Sequence, residues 1–162
     1  MNFHTREFVE SDRPALRALL RDSRDATFVW DPPGHHRLED FDRETVGETI
    51  LVADRGGAVL GFASFSLDDH YLHHLYVHPD HLGEGLGGAL LQRCQDLFAG
   101  DGLLKCLCAN QYALGFYLSQ GWEVLCEGRS ADGHYFLLGQ SEWRDRGGPG
   151  CSSDRPDIRP MV

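Results

Sequence analysis

One stretch, from Leu72 to Leu91, constrains the fold of this chain more than any other. It reads LHHLYVHPDHLGEGLGGALL: an apolar run ending at Val77, a polar turn, a glycine-rich bend and the opening of an apolar helix. A strand joined to a helix by such a turn presents backbone N–H groups at the positive end of the helix, where an anion can bind. Glycine also lets the backbone approach a ligand closely. The stretch therefore predicts a phosphate-binding turn.

Two familiar phosphate-binding motifs fit this turn poorly. A P-loop requires GxxxxGK[ST], and no Lys, Ser or Thr follows these glycines. Gly83, Gly85 and Gly88 match the GxGxxG spacing of dinucleotide-binding proteins. In that motif, however, the first glycine directly follows the strand, whereas HPDHL separates Val77 from Gly83 here. An NAD-dependent oxidoreductase is therefore only a distant alternative.

A third motif fits better. The segment HPDHLGEGLGGALL resembles the acyl-CoA-binding motif of the GNAT superfamily of N-acetyltransferases, which is Q/R-x-x-G-x-G/A after a strand. Leu82 stands at the Gln/Arg position, and Gly85 and Gly87 stand at the glycine positions. Leu82 removes a polar side chain near the phosphates. Glu84 stands where relatives often carry a basic residue, so we expect its charge to weaken the attraction for a pyrophosphate.

A second segment, NQYALGFYLSQGW, is similar to the later motif of the same superfamily, N-x-x-A-x-x-F-Y-x-x-x-G-F. The matching residues are Asn110, Ala113, Phe116, Tyr117, Gly121 and Trp122. The two motifs occur in the superfamily's order, and the resemblance covers roughly residues 45–139. It implies an α/β fold, the GNAT acyl-CoA N-acyltransferase fold, in which helices flank a central mixed, mostly antiparallel sheet.

The resemblance also implies an activity. It implies acetyl-CoA as co-substrate, no metal, and transfer of the acetyl group to a primary amine. Since no cysteine lies in either motif to form an acyl-enzyme, we expect direct transfer.

The residue pattern also predicts the order of the secondary-structure elements. Strands are expected at 3–9, 50–53, 58–65, 71–77, 103–108, 122–127 and 134–138, and helices after Ser11, within 38–49, at 83–98 and at 110–120.

Length and composition indicate one globular domain followed by a tail. The 162 residues are 41% hydrophobic and 25% charged, and we assign residues 1–140 to the acetyltransferase domain. Residues 141–162 contain three prolines, three glycines and few apolar side chains, which predicts a flexible C-terminal tail.

Charge and hydropathy exclude several partners. The net charge of -10 argues against a nucleic-acid or anionic-membrane surface. No run of about 18 apolar residues is present, and the N-terminus is too polar for a signal peptide, so we predict a cytoplasmic protein. The five cysteines show no zinc spacing, and we assign them no function.

The resemblance suggests which side chains transfer protons. His73 matches the position of one histidine of the catalytic pair in arylalkylamine acetyltransferases, so we predict it as the general base or relay, with Glu48 as the reserve base. Adjacent strand positions should place His73 and His74 on opposite faces. Tyr117 occupies the superfamily's general-acid position, from which a phenol can protonate the leaving thiolate. Trp30, Phe41 and Glu48 are candidates for the wall of the acceptor pocket.

For the co-substrate, the resemblance implies mainly backbone contacts. An N–H group near Leu75 would meet the carbonyl oxygen, Val77 would pair with pantetheine, and the N–H groups from Leu82 to Gly88 would hold the pyrophosphate. Asn110 would bond either pantetheine or the start of its helix. The complete predicted binding set is Leu75, Tyr76, Val77, Leu82, Gly83, Glu84, Gly85, Leu86, Gly87, Gly88, Asn110, Phe116 and Tyr117.

The acceptor stays open at this point. Small amines, amino acids, aminoglycosides and the amines of peptides or proteins all fit the sequence. Relatives often form dimers, so a homodimer is an expectation from the resemblance. The rival interpretation from another class is a catalytically inactive acyl-CoA-binding module with a regulatory or sensor role.

Overall fold

The computed structural model describes residues 2–140, so the predicted tail lies outside the described residues. The strands are β1 (His4–Glu7), β2 (Thr49–Arg55), β3 (Ala58–Ser66), β4 (Tyr71–Val77), β5 (Leu103–Leu107), β6 (Trp122–Ser130) and β7 (Gly133–Gln140). The helices are α1 (Arg13–Thr27), α2 (Glu39–Glu44), α3 (Leu86–Phe98) and α4 (Gln111–Ser119), with short 3-10 helices at Glu10–Asp12 and Pro79–His81.

The strands form one mixed sheet in the order β1-β2-β3-β4-β5-β7-β6. Its neighbouring strands are antiparallel except for β4 and β5, which are parallel. The predicted fold class, a mixed and mostly antiparallel sheet flanked by helices, is therefore confirmed. Within the described residues, β4 and β5 pair only at Tyr71 with Leu103 and at Leu72 with Leu104. Beyond these pairs the two strands diverge and leave a gap in the middle of the sheet.

Helices cover both faces of the central strands. The ring of Phe62 on β3 packs against Phe41 of α2, with ring centroids 5.5 Å apart. The ring of Phe65, on the other face of β3, packs against Phe98 of α3 at 5.6 Å. The described residues 2–140 contain no helix that is both long and apolar enough to cross a membrane.

A β-bulge interrupts β4 at His73. Ser64 of β3 pairs with His74, but the next residue, Phe65, pairs with Leu72, so His73 is the extra residue. Successive side chains do not alternate strictly across a bulge. Leu72 pairs with Phe65, which faces α3, so the adjacent Tyr71 faces the side of α1 and α2. The ring of His73 packs against Tyr71, and His74 contacts Glu44 of α2, so both imidazoles lie on that side. The expectation that His73 and His74 face opposite sides was therefore wrong.

Local sequence signals explain where the two motif helices begin. Helix α3 follows Gly85, whose φ of 86° is left-handed, and Gly83 two residues earlier has a φ of 80°. Such angles favour glycine because it has no Cβ. Helix α4 begins after Asn110, whose side chain accepts a hydrogen bond from the backbone N–H of Ala113 at 3.3 Å. Of the two contacts predicted for Asn110, the structure contains the one at the helix start.

Candidate active site

A cleft of about 120 Å³ lies at the glycine turn between the end of β4 and the start of α3. It is lined by Val77, His81, Leu82, Gly83, Gly85, Leu86, Gly87, Gly88, Tyr112 and Phe116. Most of the predicted co-substrate residues thus come together around one cleft. The sequence reasoning missed Tyr112, although its place four residues before Phe116 on α4 is a signal for a shared helix face.

The floor of this cleft is backbone. The first N–H groups of α3 have no acceptor within the helix, so they are available to an anion. A Cβ on Gly87 would lie 3.6 Å from both the Phe116 ring and the Val77 side chain, which shows how closely these elements approach. Along β4, His78 N–H donates to the carbonyl of Leu60 on β3. Because bond direction alternates along a strand, the N–H groups of Leu75 and Val77 point away from β3 and into the gap.

The charge of Glu84 is compensated at the turn. One carboxylate oxygen accepts a hydrogen bond from Arg55 Nη2 at 3.0 Å, and the other shares one with His81 Nδ1 at 2.8 Å. These contacts with His81 and Arg55 hold the pKa of Glu84 below its ordinary value. Two groups that carry or can gain positive charge therefore lie beside the anion-binding turn, and sequence reasoning did not identify Arg55.

The two predicted bases are in contact with each other. His73 Nδ1 is bonded to Glu48 Oε1, and the two side chains are 17% and 7% exposed. A carboxylate on Nδ1 fixes the imidazole tautomer and leaves Nε2 as the proton acceptor. The ring of His73 also packs edge-on against Tyr71, with centroids 5.0 Å apart. Glu48 borders an open depression that Glu7, Glu10 and other residues line, so the pair connects the bulge of β4 with solvent.

A buried ionic network lies next to this pair. Arg24 of α1 is 1% exposed and donates to both carboxylate oxygens of Glu44, at 2.8 and 2.9 Å. Its Nε donates to the Tyr76 hydroxyl at 3.1 Å, and His74 Nε2 lies 3.2 Å from Glu44 Oε1. Tyr76, predicted as a co-substrate residue, thus directs its side chain to α1, and only its backbone can border the gap.

The network sets the charge state of its members. Burial alone would raise the pKa of Glu44, but the hydrogen bonds from Arg24 and His74 outweigh it and hold the pKa below its ordinary value. Burial lowers the pKa of His74, and the bond to Glu44 only partly opposes it. Glu44 is therefore ionised and His74 neutral at neutral pH.

Tyr117 lies behind the cleft wall that Phe116 forms. Its ring is fully buried and packs against Trp122, with centroids 6.2 Å apart. Its hydroxyl is buried and has no hydrogen-bond partner among residues 2–140. Burial, with smaller contributions from Cys106, Tyr76 and Cys94, raises its pKa well above the ordinary value. The phenol is thus protonated and has a donor to offer.

The candidates for the acceptor-pocket wall have different surroundings. Phe41 is fully buried against Phe62 and belongs to the core. Trp30 is 48% exposed and packs on Phe28 in the loop after α1. Glu48, the third candidate, contacts His73 as described above.

Comparisons with known proteins agree with this architecture. The sequence model of the Acetyltransferase (GNAT) family matches residues 14–122. L-amino acid N-acyltransferase MnaT from Escherichia coli is 44% identical over 69 residues, which are 38% of this chain and 40% of that protein, so the match spans less than half of the relative. L-methionine sulfoximine/L-methionine sulfone acetyltransferase from Pseudomonas aeruginosa is 30% identical over 141 residues, which are 76% of this chain and 82% of that protein.

Among solved structures, the PaiA N-acetyltransferase from Thermoplasma acidophilum, in complex with coenzyme A, has a TM-score of 0.71 and 17% identity. The similarity covers 86% of this chain and 99% of that one, and it concerns the fold. The family match extends over more than half of the chain and includes both sequence motifs, the cleft and the gap in the sheet. The chain therefore belongs to the acetyltransferase (GNAT) family.

Proposed function

We propose that this protein transfers the acetyl group of acetyl-CoA directly to the primary amine of a small-molecule acceptor. The observation that carries the proposal is the gap between β4 and β5 beside the glycine turn. The buried hydroxyl of Tyr117, which has no hydrogen-bond partner among residues 2–140, interacts electrostatically with Cys106 of β5 and Tyr76 of β4. The relatives support this class of acceptor, because they are named for acylation of L-amino acids and of L-methionine derivatives.

The residues of the turn fit a phosphorylated co-substrate. Positive φ angles at Gly83 and Gly85 and the free N–H groups of α3 form a cradle that needs no side chain. In this proposal they hold the pyrophosphate, Val77 N–H bonds the pantetheine arm, and Leu75 N–H meets the thioester oxygen as negative charge develops there. Acetyl-CoA supplies the activated acyl group, and a similar fold was solved with coenzyme A.

His73 serves as the base. An alkylamine has a pKa near 10.4, so only about one molecule in a few thousand is neutral at pH 7. In this proposal His73 Nε2 takes the proton from the amine while Glu48 holds Nδ1. The proton then leaves through Glu48 to the open depression that this carboxylate borders.

Tyr117 serves as the acid. As the N–C bond of the amide forms and the C–S bond of the thioester breaks, the attacking nitrogen gives its second proton to His73, which has by then passed the first one on, and the phenol gives its own proton to the departing sulfur. Solvent then returns a proton to the phenolate. The raised pKa of Tyr117 suits this role because it keeps the hydroxyl protonated until the C–S bond breaks and the sulfur accepts the proton. A cytoplasmic location and a homodimer stay predictions.

The test is an acceptor screen with the purified full-length chain. Acetyl-CoA is incubated with amino acids, alkylamines, an aminoglycoside and a peptide, and both thiol release and the acetylated product are measured. Acetylation of at least one small amine is expected. Tight binding of acetyl-CoA without turnover on any acceptor would instead identify a regulatory acyl-CoA-binding module, and binding of NAD in place of coenzyme A would overturn the assignment of the turn.

A further inference from the structure

Two apolar side chains are exposed at the rim of the cleft by the glycine turn. Leu82 and Tyr112 line the cleft and are 44% and 61% exposed, whereas Leu86 and Val77, which line it as well, are 1% and 6% exposed. The cleft therefore has a buried inner wall and an open apolar rim. Exposed apolar groups that cluster at a cleft indicate a ligand-binding surface. The proposed mechanism uses neither the Leu82 nor the Tyr112 side chain.

The topology places Tyr112 opposite the glycine turn. Because β4 and β5 are parallel, α3 and α4, which follow them, both begin at the edge of the sheet where the two strands diverge. Tyr112 lies in the first turn of α4, and Phe116 follows one turn later on the same helix face. The Phe116 ring lies near Gly87 at the start of α3, so it closes the inner part of the cleft. Tyr112 extends the same wall outward to solvent.

The order of groups in acetyl-CoA indicates what reaches this rim. In the proposed mechanism the thioester lies in the gap, the pantetheine arm follows β4 to Val77, and the pyrophosphate lies at the glycine turn. Adenosine is the next group along the molecule, so it leaves the turn on the side away from the gap, where the rim is exposed. In the described part of the chain, the residues that line the cleft include no lysine or arginine, so the rim offers apolar contact rather than positive charge.

We infer that the ring of Tyr112 stacks on the adenine base of acetyl-CoA, with Leu82 as a second apolar contact. This inference rests on the proposed acetyl transfer. Every nucleobase has a π-face that an aromatic side chain can cover, and such a stack contributes to affinity. Leu82 stands at the Gln/Arg position of the superfamily's motif, so this chain has an apolar group where the motif has a polar one. The protein thus selects coenzyme A over a phosphopantetheine thioester, which lacks the base.

The first experiment compares coenzyme A with phosphopantetheine, which has the same pantetheine arm but no adenosine. Calorimetric titration measures the affinity of the wild type and of Tyr112→Ala for each ligand. The substitution is expected to lower the affinity for coenzyme A about 5- to 100-fold, the range for one lost base–aromatic stack, and to leave the affinity for phosphopantetheine unchanged. Tyr112→Phe keeps the ring and both wild-type affinities. Leu118→Ala is the matched control, because Leu118 is exposed on α4 but does not line the cleft.

A second experiment detects the stack itself and needs no turnover. The ethenoadenine analogue of coenzyme A carries a fluorescent base whose emission is quenched when it stacks on an aromatic ring. The wild type and Tyr112→Phe are expected to quench this emission on binding. Tyr112→Leu, which keeps an apolar side chain without a ring, is expected to bind the analogue with little quenching.

Two results would overturn the inference. Equal losses of affinity for coenzyme A and phosphopantetheine in Tyr112→Ala would place the ring against the pantetheine arm or the pyrophosphate, and unchanged affinity for both ligands would mean that the ring contacts neither. In both cases the wild type still binds coenzyme A, so the proposed function is unaffected. A wild type that binds neither ligand would overturn the proposed function together with the inference.

Discussion

The bond between His73 Nδ1 and Glu48 Oε1 joins the bulge of β4 to the residue that precedes β2. Both side chains were predicted separately as bases, and the structure makes them one unit. The bulge explains the contact, since it turns His73 toward the α1/α2 side of the sheet, where Glu48 lies. A base that is held at one nitrogen accepts a proton only at the other, so the pair defines a direction for proton transfer.

His73→Gln is expected to lower kcat about 100-fold or more, because it removes the proton acceptor. Glu48→Gln should cost about tenfold, since the imidazole is kept but loses its orienting carboxylate. If the two act as one unit, the double variant is no slower than His73→Gln alone. Steady-state thiol release measures each rate.

The matched control for Glu48→Gln is Glu39→Gln, which removes the same charge from an exposed residue of α2 and should leave kcat unchanged. If the loss of kcat in the double variant equals the product of the losses in the two single variants, the two side chains act independently and are not a coupled pair.

Tyr117→Phe separates catalysis from folding. The hydroxyl has no hydrogen-bond partner among residues 2–140, so its removal should not lower the thermal unfolding temperature. The rate should fall about 100-fold, because sulfur then leaves without a proton donor. Since the pKa of Tyr117 is raised, wild-type activity should show no loss through ionisation of this phenol up to about pH 10. A marked drop in stability with unchanged activity would assign Tyr117 a structural role instead.

Acid should weaken the protein through His74. Burial lowers its pKa in the folded state, so below the unfolded value of about 6.5 the unfolded chain binds more protons than the folded one. The free energy of unfolding therefore decreases as the pH falls from 7 to 5. The pKa of Glu44 is also lowered, but its contribution is lost only as the pH falls below the ordinary carboxyl value of about 4.3.

Urea titrations at pH 7, 6 and 5 measure this effect. The variant His74→Gln cannot gain a proton, so its stability should change less over this interval than that of the wild type. If the two stability curves run in parallel, protonation of His74 is not what weakens the fold.

Local signals were sufficient for some parts of the site. The glycines of the turn and the Asn110 cap depend on residues only a few positions apart, and the structure has both where they were predicted. The bulge at His73 was not predictable, because it depends on how β4 pairs with β3, far along the chain. The predicted ends of the C-terminal strands were wrong for a similar reason. The sequence predicted strands at 122–127 and 134–138, but cross-strand pairing continues past the apolar residues as far as Ser130 and Gly133.

Arg24 combines a local sequence signal with a contact that depends on distant parts of the chain. Leu16 and Leu20 form an apolar stripe on α1, and Arg24 continues it at the same spacing of four; this spacing is a signal for its burial that the sequence analysis did not use. Its partner Glu44 belongs to a region whose sequence gave no clear pattern, and only the packing of α2 identifies it.

Glu84 was expected to weaken the binding of a pyrophosphate, and its contacts sharpen that prediction. The carboxylate of Glu84 is hydrogen-bonded to Arg55 and His81, two side chains that could otherwise attract a phosphate group. Glu84→Gln should release them and remove a negative charge from the turn, so the affinity for coenzyme A should rise about 2- to 5-fold at low salt, as expected for partly exposed charges. Arg55→Met should lower it. Calorimetric titration at two salt concentrations checks both, because salt should reduce each difference. Weaker binding of coenzyme A by Glu84→Gln would contradict this prediction. It would mean that the carboxylate of Glu84 is needed to hold His81 and Arg55 in the positions from which they support phosphate binding.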